Sequence, residues 1–99
     1  MYDLRFAAGV ERDLRKLSAY RRGIVLGAIE SSLRDEPTKA SRNRKILMTL
    51  TPPWPAEAPI RELRVGEYRV FYDVAEAEHV VYIRAIRRKP PGARTEDIL

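Results

Sequence analysis

Residues 60–89 read IRELRVGEYRVFYDVAEAEHVVYIRAIRRK, with apolar and polar side chains alternating over most of the stretch. Period-two alternation marks strands that bury one face, and two reversals divide the stretch into three antiparallel strands. The first reversal is Val65-Gly66-Glu67-Tyr68, a two-residue loop with glycine at its first central position, the type II′ pattern. It sets Arg64 opposite Arg69, Leu63 opposite Val70, Glu62 opposite Phe71 and Arg61 opposite Tyr72. The second, centred on Glu76 and Ala77, is expected to set Arg69 opposite Arg84, Val70 opposite Ile83 and Phe71 opposite Tyr82. Directly opposed residues share a sheet face. One face therefore carries Leu63, Val65, Tyr68, Val70, Tyr72, Val74, Val81, Ile83 and Ala85, and is the predicted core. The other, expected to stay open, carries Glu62, Arg64, Arg69, Phe71, Asp73, Val80, Tyr82, Arg84 and Ile86.

Upstream, Tyr2, Leu4 and Phe6 alternate with Asp3 and Arg5, which predicts a short first strand ended by Gly9. Val10, Leu14 and Leu17 then recur at helical spacing, with charges on the other side. Ser18 is placed to cap a second helix carrying Val25, Leu26, Ile29 and Leu33, which Pro37 ends. The pair forms a helical hairpin whose apolar stripes need a sheet to lie on. Residues 38–59 are expected to form an irregular arm, because residues 51–59 hold four prolines; Trp54 is its natural anchor. Pro90-Pro91-Gly92 ends the last strand, and residues 90–99 are read as a short tail with one helical turn capped by Thr95. The order is β-α-α-β-β-β in a single domain spanning residues 1–99. This is an α+β fold, with the helical hairpin packed on one face of a small twisted, mainly antiparallel sheet. A helical crossover makes the first strand parallel to a meander strand.

Charge changes the picture. The net charge is +5, from 19 basic and 14 acidic residues. Residues 37–56 hold Lys39, Arg42, Arg44 and Lys45 and no acid, and residues 79–95 hold Arg84, Arg87, Arg88, Lys89 and Arg94, again without an acid. Such clusters attract phosphate backbones or acidic proteins. Arg64, Arg69 and Arg84 are expected in a row across three strands, although like charges directly opposite destabilise a sheet. Either an anion completes the row, or the arginines pair with Glu62 and Asp73. The absence of cysteine excludes disulfides and thiolate metal sites. With one histidine, His79 beside the second turn, and no clustered carboxylates, a metal site is not expected. No apolar run approaches the length of a membrane span and the N-terminus lacks a signal-peptide profile, so a cytoplasmic protein is expected.

Leu63-Arg64-Val65-Gly66-Glu67-Tyr68-Arg69-Val70-Phe71-Tyr72 resembles the central hairpin of the RelE/ParE superfamily of type II toxins. The upstream helical hairpin, the strand Val80-Val81-Tyr82-Ile83 and the basic exit Arg87-Arg88-Lys89 fall where that family has them. The resemblance implies neutralisation by a cognate antitoxin, and either ribosome-dependent mRNA cleavage or inhibition of DNA gyrase by binding. A third possibility is a domain that keeps the antitoxin surface and has lost toxicity. It implies no cofactor. An acidic, partly disordered antitoxin suits a basic domain with an apolar edge around Trp54 and Met48.

Internal RNA cleavage uses the 2′-hydroxyl as nucleophile, so it needs a base, cations around the phosphorane and an acid for the leaving oxygen. By resemblance, Arg69 contacts the scissile phosphate, and Lys89 or Arg88 is the second cation. Glu62 is the candidate base, or else a partner of Arg64 or Arg69. Ribosome-dependent cleavers of this type can carry a lysine at the Glu62 position and an aromatic residue in the tail; both are lacking here. Arg64, Arg84, Arg44, Lys45 and Arg87 are candidate phosphate contacts, and Phe71 and Tyr82 candidate stacking platforms for an unstacked base.

Overall fold

Ser18 opens the longest helix by accepting a hydrogen bond from the Arg21 amide at 3.2 Å. That helix, α2 (Ala19–Leu33), follows β1 (Asp3–Phe6) and the short α1 (Val10–Arg15). Then come β2 (Arg44–Leu47), β3 (Ile60–Val65), β4 (Tyr68–Ala75), a 3₁₀ turn (Glu76–Glu78), β5 (Val80–Arg88) and α3 (Thr95–Ile98). The computed structural model describes residues 1–56 and 59–99. The sheet has five strands in the order β1-β5-β4-β3-β2, antiparallel except for the β1–β5 pair. The parallel first strand and the helical crossover are as expected. The additional strand, β2, comes from the segment read as an irregular arm.

What holds β2 in place is side-chain chemistry at the end of α2. Arg44 donates to the carbonyls of Ser32 at 2.7 Å and Glu36 at 3.2 Å, and so satisfies acceptors at a helix C-terminus. The buried Tyr72 hydroxyl donates to the Pro37 carbonyl at 2.7 Å, and Arg61 donates to that of Thr38 at 3.1 Å. Tyr72 and its surroundings push its phenol pKa up to about 12, because burial disfavours the phenolate more than Arg61 and Arg44 favour it.

The β3–β4 hairpin has the expected register, Val65 to Tyr68 through Arg61 to Tyr72, and Gly66 takes φ +58° while Glu67 stays at negative φ. The β4–β5 pairing differs. The turn is four residues long and closes through His79 in the left-handed region (φ 55°), so Ala75 pairs with Val80 and Tyr72 with Ile83, a two-residue shift. A bulge between Phe71 and Tyr72 then shifts the register, so that Phe71 pairs with Ala85, Val70 with Ile86 and Arg69 with Arg87. The bulge reverses the alternation beyond it. Ile86 turns into the helix-side core, and Ala85 joins Phe71 on the opposite face. The expected row of Arg64, Arg69 and Arg84 is thereby broken at Arg84.

The helix-side core holds Leu63, Val70, Tyr72, Val81, Ile83 and Ile86 against Val10, Val25, Ile29 and Leu33. The other face was expected to be open, but its middle is covered. Ile60, Phe71 and Ala85 are buried there beneath Leu47, Leu50, Trp54 and Ala56 from the arm and Ile98 and Leu99 from the C-terminus. Trp54 anchors the arm, its ring 5.7 Å from that of Phe71.

Candidate functional site

At the hairpin end of the second face the cover stops, and a cleft of ≈ 180 Å³ opens, lined by Arg42, Asn43, Lys45, Glu62, Arg64, Arg69 and Lys89. Among the described residues, five cations and one carboxylate thus share its lining. Two geometries place them there. The β2–β3 pairing sets Lys45 opposite Glu62, and the β3–β4 pairing sets Arg64 opposite Arg69. Lys89, just past the end of β5, is fixed by its amide donating to the Glu67 carbonyl at 2.7 Å. The cleft continues into a groove of ≈ 410 Å³ running past Arg64, Arg69 and Lys89 to Pro90, Pro91, Gly92 and Ala93.

Glu62 is 3% exposed. Its Oε1 lies 3.5 Å from Arg69 Nε and 4.0 Å from Lys45 Nζ, while Oε2 accepts a hydrogen bond from the Thr95 hydroxyl at 3.1 Å. Arg69 bends over the hairpin turn and donates Nη1 to the carbonyls of Gly66 and Tyr68, both at 2.9 Å. Burial lowers its pKa; Glu62 works against that depression, and Arg64 adds to it. Arg69 is buried, whereas Arg42, Lys45 and Arg64 are exposed, and such a cluster of like charges at a cleft attracts an anion.

Of the candidate residues, Arg69, Lys89, Glu62, Arg64 and Lys45 converge on this cleft. The others do not. Phe71 is fully buried under the arm and tail, so it presents no stacking face. Arg84 holds the buried Asp73 through two hydrogen bonds, at 2.5 and 3.1 Å, and its guanidinium lies 4.7 Å from the Tyr82 ring centroid. Arg88 pairs with Glu67 at 3.0 Å. Arg87 pairs with Asp13 at 2.7 Å and lies over Trp54. Arg44 is committed to the end of α2. Thr95 is the first residue of α3, not its cap, because Arg94 occupies the N-cap position. His79 is an exposed turn residue stacked on Tyr2, with ring centroids 4.6 Å apart.

Sequence reasoning did not single out Arg42, Asn43 or Thr95 for the site. Arg42 belonged to a visible basic cluster, but its approach to Glu62 depends on β2, which the prolines concealed. A larger hollow of ≈ 840 Å³ lies at the opposite end of the sheet, where Glu76 and Glu78 offset Arg61 and Arg84. Its mixed charge makes it the poorer anion site. Among the described residues, no group of three or more potential metal ligands is present, and no helix is long and apolar enough to cross a membrane.

A profile of the family described as "ParE toxin of type II toxin-antitoxin system, parDE" matches residues 4–89. The chain belongs to the ParE toxin family. No match was found among curated protein sequences. The RelE–RelB complex of Pyrococcus horikoshii OT3 superposes with a TM-score of 0.69 at 22% identity, covering 94% of this chain and 98% of that one. The toxin–antitoxin complex RelBE2 of Mycobacterium tuberculosis gives 0.67 at 26%, covering 89% and 98%. The isolated Escherichia coli RelE toxin gives 0.57 at 18%, covering 98% and 90%. This chain is therefore a type II toxin of the RelE/ParE superfamily with the RelE-like fold. Among the described residues, the cleft of this ParE-family toxin brings five cations together with the acid Glu62.

Proposed function

We propose that this toxin is a metal-independent, ribosome-dependent mRNA endoribonuclease neutralised by an acidic antitoxin. The observation that carries this reading is a nearly buried carboxylate in a cleft lined by Arg42, Lys45, Arg64, Arg69 and Lys89. A phosphodiester in the cleft meets Arg64, Arg69 and Lys89, which offset its charge and the extra charge of the phosphorane. Glu62 takes the proton of the 2′-hydroxyl, and the 2′-oxygen forms a bond to phosphorus. The bond from phosphorus to the 5′-oxygen breaks, Lys89 supplies the proton to that leaving oxygen, and a 2′,3′-cyclic phosphate and a 5′-hydroxyl remain. Arg42, Lys45 and the adjoining groove hold neighbouring phosphates. The antitoxin partner is supported by the structural neighbours described as RelE–RelB and RelBE2 complexes, by the net charge of +5, and by the exposed Ile46 on β2 and Met48 just beyond it.

The test is primer extension on an mRNA translated in a purified system, with wild type, Arg69→Ala and Glu62→Gln. Cleavage that requires ribosomes and is lost in both variants, with folding intact, supports the reading. Intact mRNA in every lane would sink it. One observation favours a second reading, inhibition of DNA gyrase by binding alone. Phe71 is buried and, among the described residues, the cleft lining holds no aromatic side chain on which a base could stack. A gyrase supercoiling assay with the same variants separates the two readings. Inactivity in both assays leaves a domain that binds antitoxin without toxicity.

A further inference from the structure

The C-terminal turn contributes one polar side chain to the cleft region, and it is buried. Thr95 is 9% exposed, and its single hydroxyl proton goes to Glu62 Oε2 at 3.1 Å. Lys89 Nζ approaches the same hydroxyl oxygen at 3.5 Å. A carboxylate only accepts and an ammonium only donates, so the direction of the chain is fixed: Lys89 to Thr95 to Glu62. We propose that Thr95 is a positioning residue of this site, holding the carboxylate and the Lys89 ammonium through one shared hydroxyl. This rests on the ribonuclease reading, in which those two groups act as base and acid. The hydroxyl is held in register by the residues that follow it, since Ile98 and Leu99 pack on the cluster of Ile60, Phe71 and Ala85. The tail is thus part of the site's geometry, although it contains no acid, base or aromatic group that reaches the cleft lining.

Thr95→Val keeps the shape and removes the hydrogen bonds; Thr95→Ser keeps the hydroxyl. In the translation system, Thr95→Val is expected to lower kcat by about tenfold or more with KM little changed, and Thr95→Ser to recover most of that loss. Equal kcat in Thr95→Val and wild type, with Glu62→Gln inactive, overturns the proposal and leaves the ribonuclease reading standing. Equal losses in Thr95→Val and Thr95→Ser also overturn it, because the hydroxyl is then irrelevant. A second readout needs no cleavage. The side-chain carboxyl carbon resonance of Glu62 in the full chain is expected to move in Thr95→Val and to return toward wild type in Thr95→Ser. A resonance that does not move in Thr95→Val refutes the link, whatever the activity of the wild type.

Discussion

On its helix side the sheet buries Leu63, Val70, Val81, Ile83 and Ile86 against Val10, Val25, Ile29 and Leu33, whereas on the other side it buries Glu62, Arg69, Asp73 and Thr95 beside Ile60, Phe71 and Ala85. The buried cluster of the first face is apolar, apart from the Tyr72 hydroxyl bonded to Pro37. Burial there contributes to stability at roughly 25 cal/mol per Å² of apolar surface. The second face gains far less from its ion pairs, because desolvating a buried pair consumes much of the attraction between its charges. Departures from local stability rules concentrate where a chain has something else to do. The difference teaches that one face carries the fold, while the proposed chemistry falls on the other.

The largest expected effect lies on the apolar face. Ile29→Ala leaves a cavity between α2 and the sheet and is expected to cost about 2–5 kcal/mol in chemical denaturation. It should leave the anion affinity of the folded fraction unchanged. A matching loss of affinity would show that the two faces are not separable.

Alkaline pH tests the polar exception on that face. Tyr72 keeps its proton until about 12 when folded, against 10.0 for an unperturbed phenol. Its contribution is therefore whole below pH 10 and is lost as pH rises through 12, a loss of about 2–3 kcal/mol. Tyr72→Phe should remove that component of the alkaline transition. An unchanged transition would place its cause elsewhere.

On the second face, Glu62→Gln leaves five cations around a neutral amide and is expected to cost about 1–3 kcal/mol. It should tighten binding of a non-cleavable 2′-deoxy oligonucleotide at low salt while abolishing cleavage. Stability and affinity moving in the same direction would contradict the assignment of Glu62 as the one repulsive group in an anion site. The smallest effect belongs to Arg88→Ala. Arg88 and Glu67 are both exposed, and removing this pair should change stability by no more than about 0.5 kcal/mol and leave cleavage close to wild type.

Much of the first face was legible in the sequence, and less of the second. Gly66 and the alternation around it give the β3–β4 register, and Ser18 and Pro37 bracket α2, because turn chemistry and helix capping are local. The four-residue turn through His79 and the bulge at Arg84 are tertiary outcomes. Bringing Ile86 under α1 requires reversing the alternation, and Asp13, on that helix, accepts from the Ile86 amide at 3.1 Å. The cover over Phe71 was hidden for a similar reason. The prolines of the arm signal irregular backbone, yet Leu47, Leu50 and Trp54 still bury themselves on the sheet. Glu62, Arg64, Arg69 and Lys89 were legible because the hairpin register and the family motif coincide there. Arg42 and Thr95 reach the site only through long-range packing.

The central claim is that the second face cleaves RNA through the 2′-hydroxyl held beside Glu62. The most direct measurement places a single 2′-deoxynucleotide at the cut position of an mRNA and follows that position during translation with the wild-type toxin. Cleavage there is expected to vanish while neighbouring susceptible positions are still cut. Undiminished cleavage at the deoxy position would contradict the claim.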